Sequence, residues 1–440
     1  RSALSLGLAP LAAGCALAPA SSGAVGDATP AGPSASHARH WRRARVVVVG
    51  GGYGGATAAK YLRLWSGGTL DVTLVEAEPA FISCPGSNLV VAGRRELASL
   101  AQGYDALTAR HGVRLVHERA TAIDLERRTL RLASGAALPW DRLLLAPGVE
   151  LLQKEIEGLA EAHAAGRAPA AWKAGAETLL LRDQLRAMPD GGVVALTIPE
   201  VPYRCPPGPY ERACLVAEWL ARAKPRAKLI VLDANPDISS KAALFRRAFA
   251  DRYKGRLEYR PQHRLVGVDA RPGARATLRF EVDDDLQADV LNALPPMRAG
   301  ALAAGAGLAD ANGRWCRVDF RSFESAVAPG VHVLGDAVQS AQLMPKSGHM
   351  ANAHAKVAAA AVLALLAEQP PPAEPLLTNT CYSLVSAQEA VHVASVHRFD
   401  AAAHTFLPVE GAGGLSAAAS AEEARLAEAW AANIRADMLD

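Results

Sequence analysis

The sequence predicts an α/β protein of two Rossmann-like, nucleotide-binding-type domains and a smaller C-terminal domain, and three observations carry this. RVVVVGGGYGGATAAKYLRL, from Arg45, is a run of four valines that passes into glycines and then a helical pattern, with DVTLVE following as a second strand. From Gly191, GGVVALTIPE, RCPPGPYERAC, CLVAEWLARA and KLIVLD repeat the outline of strand, turn, helix and strand. Further on, RLLLAPGVE at Arg142 and GVHVLGDAVQ at Gly330 are short strands that close on a Pro-Gly turn and on Gly335 and Asp336. Apolar runs alternating with helical patterns are what strands covered on both faces require.

At 440 residues the chain is too long for one small core, so two or three domains are expected. Its 47 basic and 44 acidic residues leave a net charge of +3, spread without long runs, so there is no electrostatic footprint for nucleic acid. After the first twenty residues nothing approaches the uninterrupted apolar stretch of about 18 residues that a spanning helix needs, so no transmembrane segment is expected in the mature chain. ALSLGLAPLAAGCALAPA reads as the apolar core and cleavage region of an export signal, with an ordinary terminal segment as the plainer alternative. SSGAVGDATPAGPSASHARH follows as a linker, so residues 1–43 are assigned to signal and linker. Cys15, after LAAG, is only a loose match to a lipoprotein cleavage box. Five cysteines then remain in a compartment that permits disulfides, and the odd count leaves at least one for another task.

Gly50, Gly52 and Gly55 satisfy G-x-G-x-x-G between a strand and a helix, and Glu76 ends the next strand roughly twenty residues on. Without Cβ atoms the backbone can approach a pyrophosphate, the helix N-terminus offers free N–H groups, and the acid accepts from ribose hydroxyls. The late strand running into Gly335 and Asp336 resembles the segment with which two-dinucleotide flavoproteins hold the ribityl and phosphate part of FAD. That likeness implies a discontinuous FAD domain, residues 44–150 and 296–370, interrupted by a second nucleotide-fold domain, 151–295, and followed by a C-terminal interface domain, 371–440. The first turn of the middle domain lacks the glycine pattern, so NAD(P)H is not expected as donor or acceptor.

Where that pattern would fall stands Cys205, fenced by prolines. Cys381, in TNTCYSLVSA, lies 176 residues away, so no local motif pairs them. Should they meet, they form a disulfide over the flavin, an electrophile for a soft anion such as hydrosulfide. Cys84, in FISCPGSN, has no cysteine within five residues. Its residues alone leave open a packing role, a thiolate touching the flavin, or a covalent attachment point, packing being the ordinary expectation. Glu211 is either a proton-handling carboxylate with a value raised by burial or a solvated acid at a helix start. Lys346, in MPKSGHMANAHAK, is read as a cation near the flavin pyrimidine, helix capping being the alternative. Cys214 and Cys316 are taken as buried thiols.

Together these segments resemble the flavoprotein subunit of flavocytochrome c sulfide dehydrogenase, a relative of the sulfide:quinone oxidoreductases. The matching stretches are VVVVGGGYGGATAAKYL, ISCPGSN, WDRLLLAPGVE, AWKAG, RCPPGPYERA, LPPMRAG, GRWCRVDFRSFES, HVLGDA, MPKSG, KVAAAAV and NTCYS, in consistent order over residues 45–385. The resemblance implies a glutathione-reductase-like arrangement, FAD carried by Cys84 through a thioether at the 8α carbon, and a redox disulfide of Cys205 and Cys381 with Glu211 beside it as acid/base. It implies sulfide as substrate and a separate haem c cytochrome subunit as electron acceptor in a heterodimer, since the chain has no C-x-x-C-H. It further implies a periplasmic protein, for which the twin-arginine route suits a cofactor loaded before export. Two alternatives share the chemistry: a sulfide:quinone oxidoreductase, and an accessory sulfur-oxidation flavoprotein acting on protein-bound persulfide.

Overall fold

The computed structural model describes residues 39–440. The expected leader, with Cys15, and nearly all of the linker lie outside the described residues. Arg45–Val49 (β1) exposes its first residue and buries the next four, and the chain turns at Gly50 into Tyr53–Trp65 (α1). Asp71–Val75 (β2) repeats that burial pattern beside β1. Arg114–Val116 (β3) pairs with β2, and Arg142–Leu145 (β4) with the other side of β1, all in parallel. Val331–Val333 then pairs in parallel with β4, Val331 opposite Leu143, although the two are 188 positions apart in the chain. Glu324–Ser325 and Val318–Asp319 extend this edge antiparallel, making seven strands. One sheet is thus assembled from two separated stretches of chain.

The intervening chain builds a second parallel sheet. Val193–Ile198 (β5) leads through the cysteine turn into Gly208–Ala223 (α2), then Lys228–Asp233 (β6). Ala242–Arg252 (α3), Leu257–Arg260 (β7) and Val290–Ala293 (β8) complete it, in the strand order β7, β6, β5, β8. β5 and β6 bury nearly every residue, as a strand with helices over both faces must. The predicted pair of Rossmann-like units is therefore present.

Gly348–Leu366 (α4) is the one described helix long and apolar enough to cross a membrane. It lies largely buried between α1 and the C-terminal sheet, where Asn352 Nδ2 donates to Thr57 Oγ1 at 2.9 Å and to Asp437 Oδ2 at 2.7 Å. Leu376–Leu384 (β9), Ala390–Asp400 (β10) and Thr405–Leu415 (β11) form an antiparallel meander. Ala421–Leu439 (α5) closes the chain, its N-terminus capped by Ser420, whose hydroxyl accepts from Glu423 N–H at 3.1 Å. Lys60 Nζ of α1 donates to the Ala436 and Asp437 carbonyls at its other end, at 3.1 and 2.9 Å.

Candidate active site

The glycine turn after β1 is shaped by close backbone approach. Gly50 has φ +95°, and a Cβ there would lie 2.4 Å from the Ala146 carbonyl oxygen; one at Gly55 would lie 1.8 Å from the Gly50 oxygen. A Cβ on Gly52 would meet nothing within 4 Å. The first two glycines let the turn close, and the third leaves room beside it. No side chain caps α1, so its free N–H groups face that room. Glu76, at the end of β2, accepts from Gly51 N–H at 2.6 Å and from Glu78 N–H at 2.8 Å, so part of its carboxylate steadies the turn.

This turn opens into a cavity of about 780 Å³, within the usual range for cofactor sites. Gly50, Gly52, Glu76, Gly335 and Asp336 line it on the side of the first sheet. Cys84, Cys205, Glu211 and Cys381 line it as well, and the terminal helix α5 contributes Trp430 and Ala431. The residues singled out in the sequence are thus brought together, with two exceptions, Gly55, which packs against the Gly50 carbonyl, and Lys346. Lys346 does not line this cavity. Its ammonium donates to the Asp336 and Val338 carbonyls at 3.0 and 2.6 Å and sits 3.7 Å above the Trp315 ring. The MPKSG segment reaches the site through the Lys346 carbonyl, which accepts from Cys205 N–H at 2.8 Å, and through Ser347, which lines the cavity.

Cys205 adopts φ +57°, uncommon for a side-chain-bearing residue, in the turn that feeds α2. A Cβ on Gly208 would lie 3.0 Å from its sulfur and 2.7 Å from the Trp172 ring, so a residue without a side chain is needed where the helix meets the thiol. Cys205 is exposed to the solvent of the cavity, while the protein packed around its sulfur, helped by Cys381 and Glu211, pushes the thiol up to about 12. Cys381 sits in β9. Burial pushes its thiol up too, against Lys241 and the side chains of Asn379 and Ser347. All five described cysteines are free in this structure, Cys205 and Cys381 among them. Cys214 and Cys316 are wholly buried, in agreement with packing roles.

Glu211 lies in the first turn of α2, facing the cavity and not bulk water. Burial raises its carboxyl to about 7, against a hydrogen bond from Asn88 and the charge of Lys241. The next residue, Arg212, is buried outright. Its guanidinium donates to Asn88 Oδ1 at 2.9 Å, Asn292 Oδ1 at 2.9 Å and the Ala170 and Ala171 carbonyls at 3.0 and 2.6 Å, and it stacks on Trp172 at 5.1 Å. Arg204 places Nη2 3.7 Å from Cys84 Sγ and also donates to the Trp172 carbonyl. Sequence reasoning missed Arg204, Arg212, Trp172 and Lys241. Arg204 and Arg212 adjoin Cys205 and Glu211 within RCPPGPYERA, and Trp172 stands in AWKAG, but nothing local marks Lys241.

The residues present fit FAD. Uncapped helix amides and a side-chain-free turn suit a pyrophosphate, and Asp336 Oδ1 is buried with no protein partner, as an acceptor for a ligand hydroxyl would be. The middle domain has no such place. Asp233, at the end of β6 where a nucleotide-binding domain would offer an acid to ribose, is wholly buried and accepts from Tyr210 and Tyr259 at 2.6 and 2.9 Å.

Fold and site define the class, a flavoprotein of the two-dinucleotide-domain type with three thiols at its cofactor cavity. Comparison with known proteins agrees. Residues 44–178 match the family model of pyridine nucleotide-disulphide oxidoreductases. Residues 178–295 match the central region of the sulfide dehydrogenase (flavocytochrome c) flavoprotein chain, and residues 373–439 its flavin-binding region. The chain is 61% identical over 46 residues to the sulfide dehydrogenase flavoprotein chain of Chlorobaculum thiosulfatiphilum, covering 94% of that sequence and 10% of this one. It is 25% identical over 313 residues to the mitochondrial sulfide:quinone oxidoreductase of Mus musculus, a match spanning 66% of this chain and 65% of the mouse enzyme. The solved sulfide:quinone oxidoreductase of Aquifex aeolicus superposes with a TM-score of 0.72 at 18% identity, over 90% of this chain and 92% of that one. The chain belongs to the family of flavocytochrome c sulfide dehydrogenase flavoprotein chains, and its cofactor is FAD.

Proposed function

We propose that the protein oxidises hydrosulfide at a disulfide formed by Cys205 and Cys381 and delivers the electrons through FAD to a haem c cytochrome partner in the periplasm. The observation that carries the reading is the meeting of Cys205 and Cys381 with Glu211 and Cys84 around one cavity, although each cysteine belongs to a different part of the chain. In the oxidised pair, hydrosulfide adds to one sulfur and the S–S bond breaks. A persulfide forms on that cysteine, and the electron pair of the broken bond remains on the other as a thiolate. Glu211, with a value near 7, takes the proton as hydrogen sulfide becomes hydrosulfide. Bound FAD supplies a two-electron acceptor that can release electrons singly. Cys84 holds it covalently, its sulfur lying at the cavity wall beside Arg204.

The test is an anaerobic titration with sulfide that follows the flavin absorbance. Near-stoichiometric bleaching, lost in Cys205→Ser and in Cys381→Ser, is the expected result; no bleaching overturns the reading. A second acceptor, a quinone, is favoured by the likeness to the mouse and Aquifex enzymes. The mildly amphipathic helix α5, which carries several acids and buries only Ile434, Met438 and Leu439, favours a protein partner instead. Reoxidation of the sulfide-reduced protein by cytochrome c, compared with a short-chain quinone, separates the two.

A further inference from the structure

Lys241 is a buried lysine in no recognisable motif, 5% exposed, and it stands immediately before α3 with φ +56°. From there its ammonium crosses from the middle domain to β9, where it donates to the Cys381 carbonyl at 2.8 Å and to Ser383 Oγ at 2.8 Å. The same loop is tied to the Cys205 turn. Ser239 Oγ lies 2.7 Å from the Tyr203 hydroxyl, which donates to the Pro206 carbonyl at 3.2 Å. A short path of bonds therefore runs from the residue after Cys205, through Tyr203 and Ser239, to the lysine that grips Cys381.

A lysine kept dry, in a backbone conformation that side chains rarely adopt, carries a cost in desolvation and strain that simple packing does not explain. Opening a disulfide creates negative charge where there was none. A cation already fixed at the carbonyl of the same cysteine stabilises that charge without rearrangement. We propose that Lys241 is the positioning residue of the two-cysteine site: it holds β9 in register with the Cys205 turn, and its ammonium stabilises the thiolate that Cys381 becomes when its bond to Cys205 is reduced. The inference rests on the proposed redox role of that pair. When hydrosulfide opens the bond, its sulfur attaches to Cys205 as a persulfide, the S–S bond breaks, and Cys381 keeps the electron pair as the thiolate. In the test below a phosphine and water replace hydrosulfide: the phosphine becomes its oxide, Cys205 takes one proton of the water as a thiol, Cys381 is left as the thiolate, and the second proton goes to solvent.

The charges around Lys241 agree. Cys381, Glu211, Cys205 and Glu423, on β9, α2, the cysteine turn and α5, all favour its protonated form, while burial opposes them and lowers it to about 8. Around Cys381 stand Lys241, Asn379 and Ser347, which favour the thiolate, and Asp336, which opposes it.

The experiment uses the full-length flavoprotein. Anaerobic samples reduced with a phosphine are alkylated with iodoacetamide across a pH series, and the label on Cys381 and Cys205 is quantified by peptide mass spectrometry, with buried Cys214 as internal reference. In the wild type, Cys381 should react at lower pH than Cys205. In Lys241→Gln, which can still donate a hydrogen bond but carries no charge, the Cys381 midpoint should rise by about one pH unit, roughly a tenfold slower reaction near neutrality. Lys241→Arg should restore much of the loss. An unchanged Cys381 profile in Lys241→Gln overturns the inference. If that variant fails to fold, a wild-type Cys381 that reacts no earlier than Cys205 overturns it equally. Non-reduced peptide mapping keeps the parent reading separate: a protein in which Cys205 and Cys381 never form a linked peptide refutes the disulfide, whatever the alkylation shows.

Discussion

Tyr210 donates its hydroxyl to the buried Asp233 carboxylate at 2.6 Å, and Tyr259 and the amide of Asn235 complete the shell. The acid at the end of the second strand, which a nucleotide domain would hold ready for ribose, is consumed inside this one. NADH is therefore expected to leave the flavin absorbance unchanged in an anaerobic titration in which sulfide bleaches it. Tyr210→Phe should cost about 1–3 kcal/mol in denaturant unfolding without creating an NADH response, because it leaves a buried acceptor short of a donor.

The two structural glycines and the open one behave differently. Gly55→Ala drives a methyl into the Gly50 carbonyl, and the expected outcome is loss of soluble, folded protein. Gly52→Ala meets no protein atom, so the chain should fold with an unchanged circular dichroism spectrum while retaining less FAD on gel filtration.

Arg212 joins Asn88 of the first domain to Asn292 and the Ala170 and Ala171 carbonyls around the second. Arg212→Met removes every donor at once and should destabilise by about 3–5 kcal/mol, measured by denaturant unfolding. Lys at this position cannot reproduce the planar fork and is expected to rescue little.

Glu211 gives a pH-dependent stability of definite sign. Its folded value near 7 lies above its ordinary 4.5, so the folded protein holds a proton that the unfolded chain releases in that interval. The contribution is full below pH 4.5 and is lost as pH rises through 7. Glu211→Gln should therefore melt at a temperature that depends less on pH between 5 and 8, and above the wild type at pH 8. Its sulfide-dependent bleaching should slow most where Glu211 is ionised, which stopped-flow traces across the same pH range would show.

Cys84→Ser tests the attachment. Acid precipitation of the wild type should carry yellow flavin into the pellet, and the same treatment of the variant should leave it in the supernatant. Flavin in the supernatant in both cases would show that Cys84 makes no covalent bond.

Much of this protein is legible locally. The four valines before Gly50 and the run before Asp233 must be buried strands, because nothing else covers so much apolar surface in so few residues. Gly50 and Gly55 announce a tight turn because only a residue without Cβ fits one. The proline-fenced Cys205 marks a turn without the glycines that a phosphate-binding turn needs. By itself, then, the sequence determined the architecture, the cofactor class and which cysteines to watch. Tertiary structure alone decided which charges surround those cysteines. Lys346 stands in a telling motif, yet it spends its ammonium on the carbonyls of Asp336 and Val338. Lys241 stands in none, yet it reaches Cys381 across 140 residues of chain. A lysine side chain swings through several ångströms on rotatable bonds, and its electrostatic effect depends on distance and on what excludes water, neither of which any local stretch of sequence encodes.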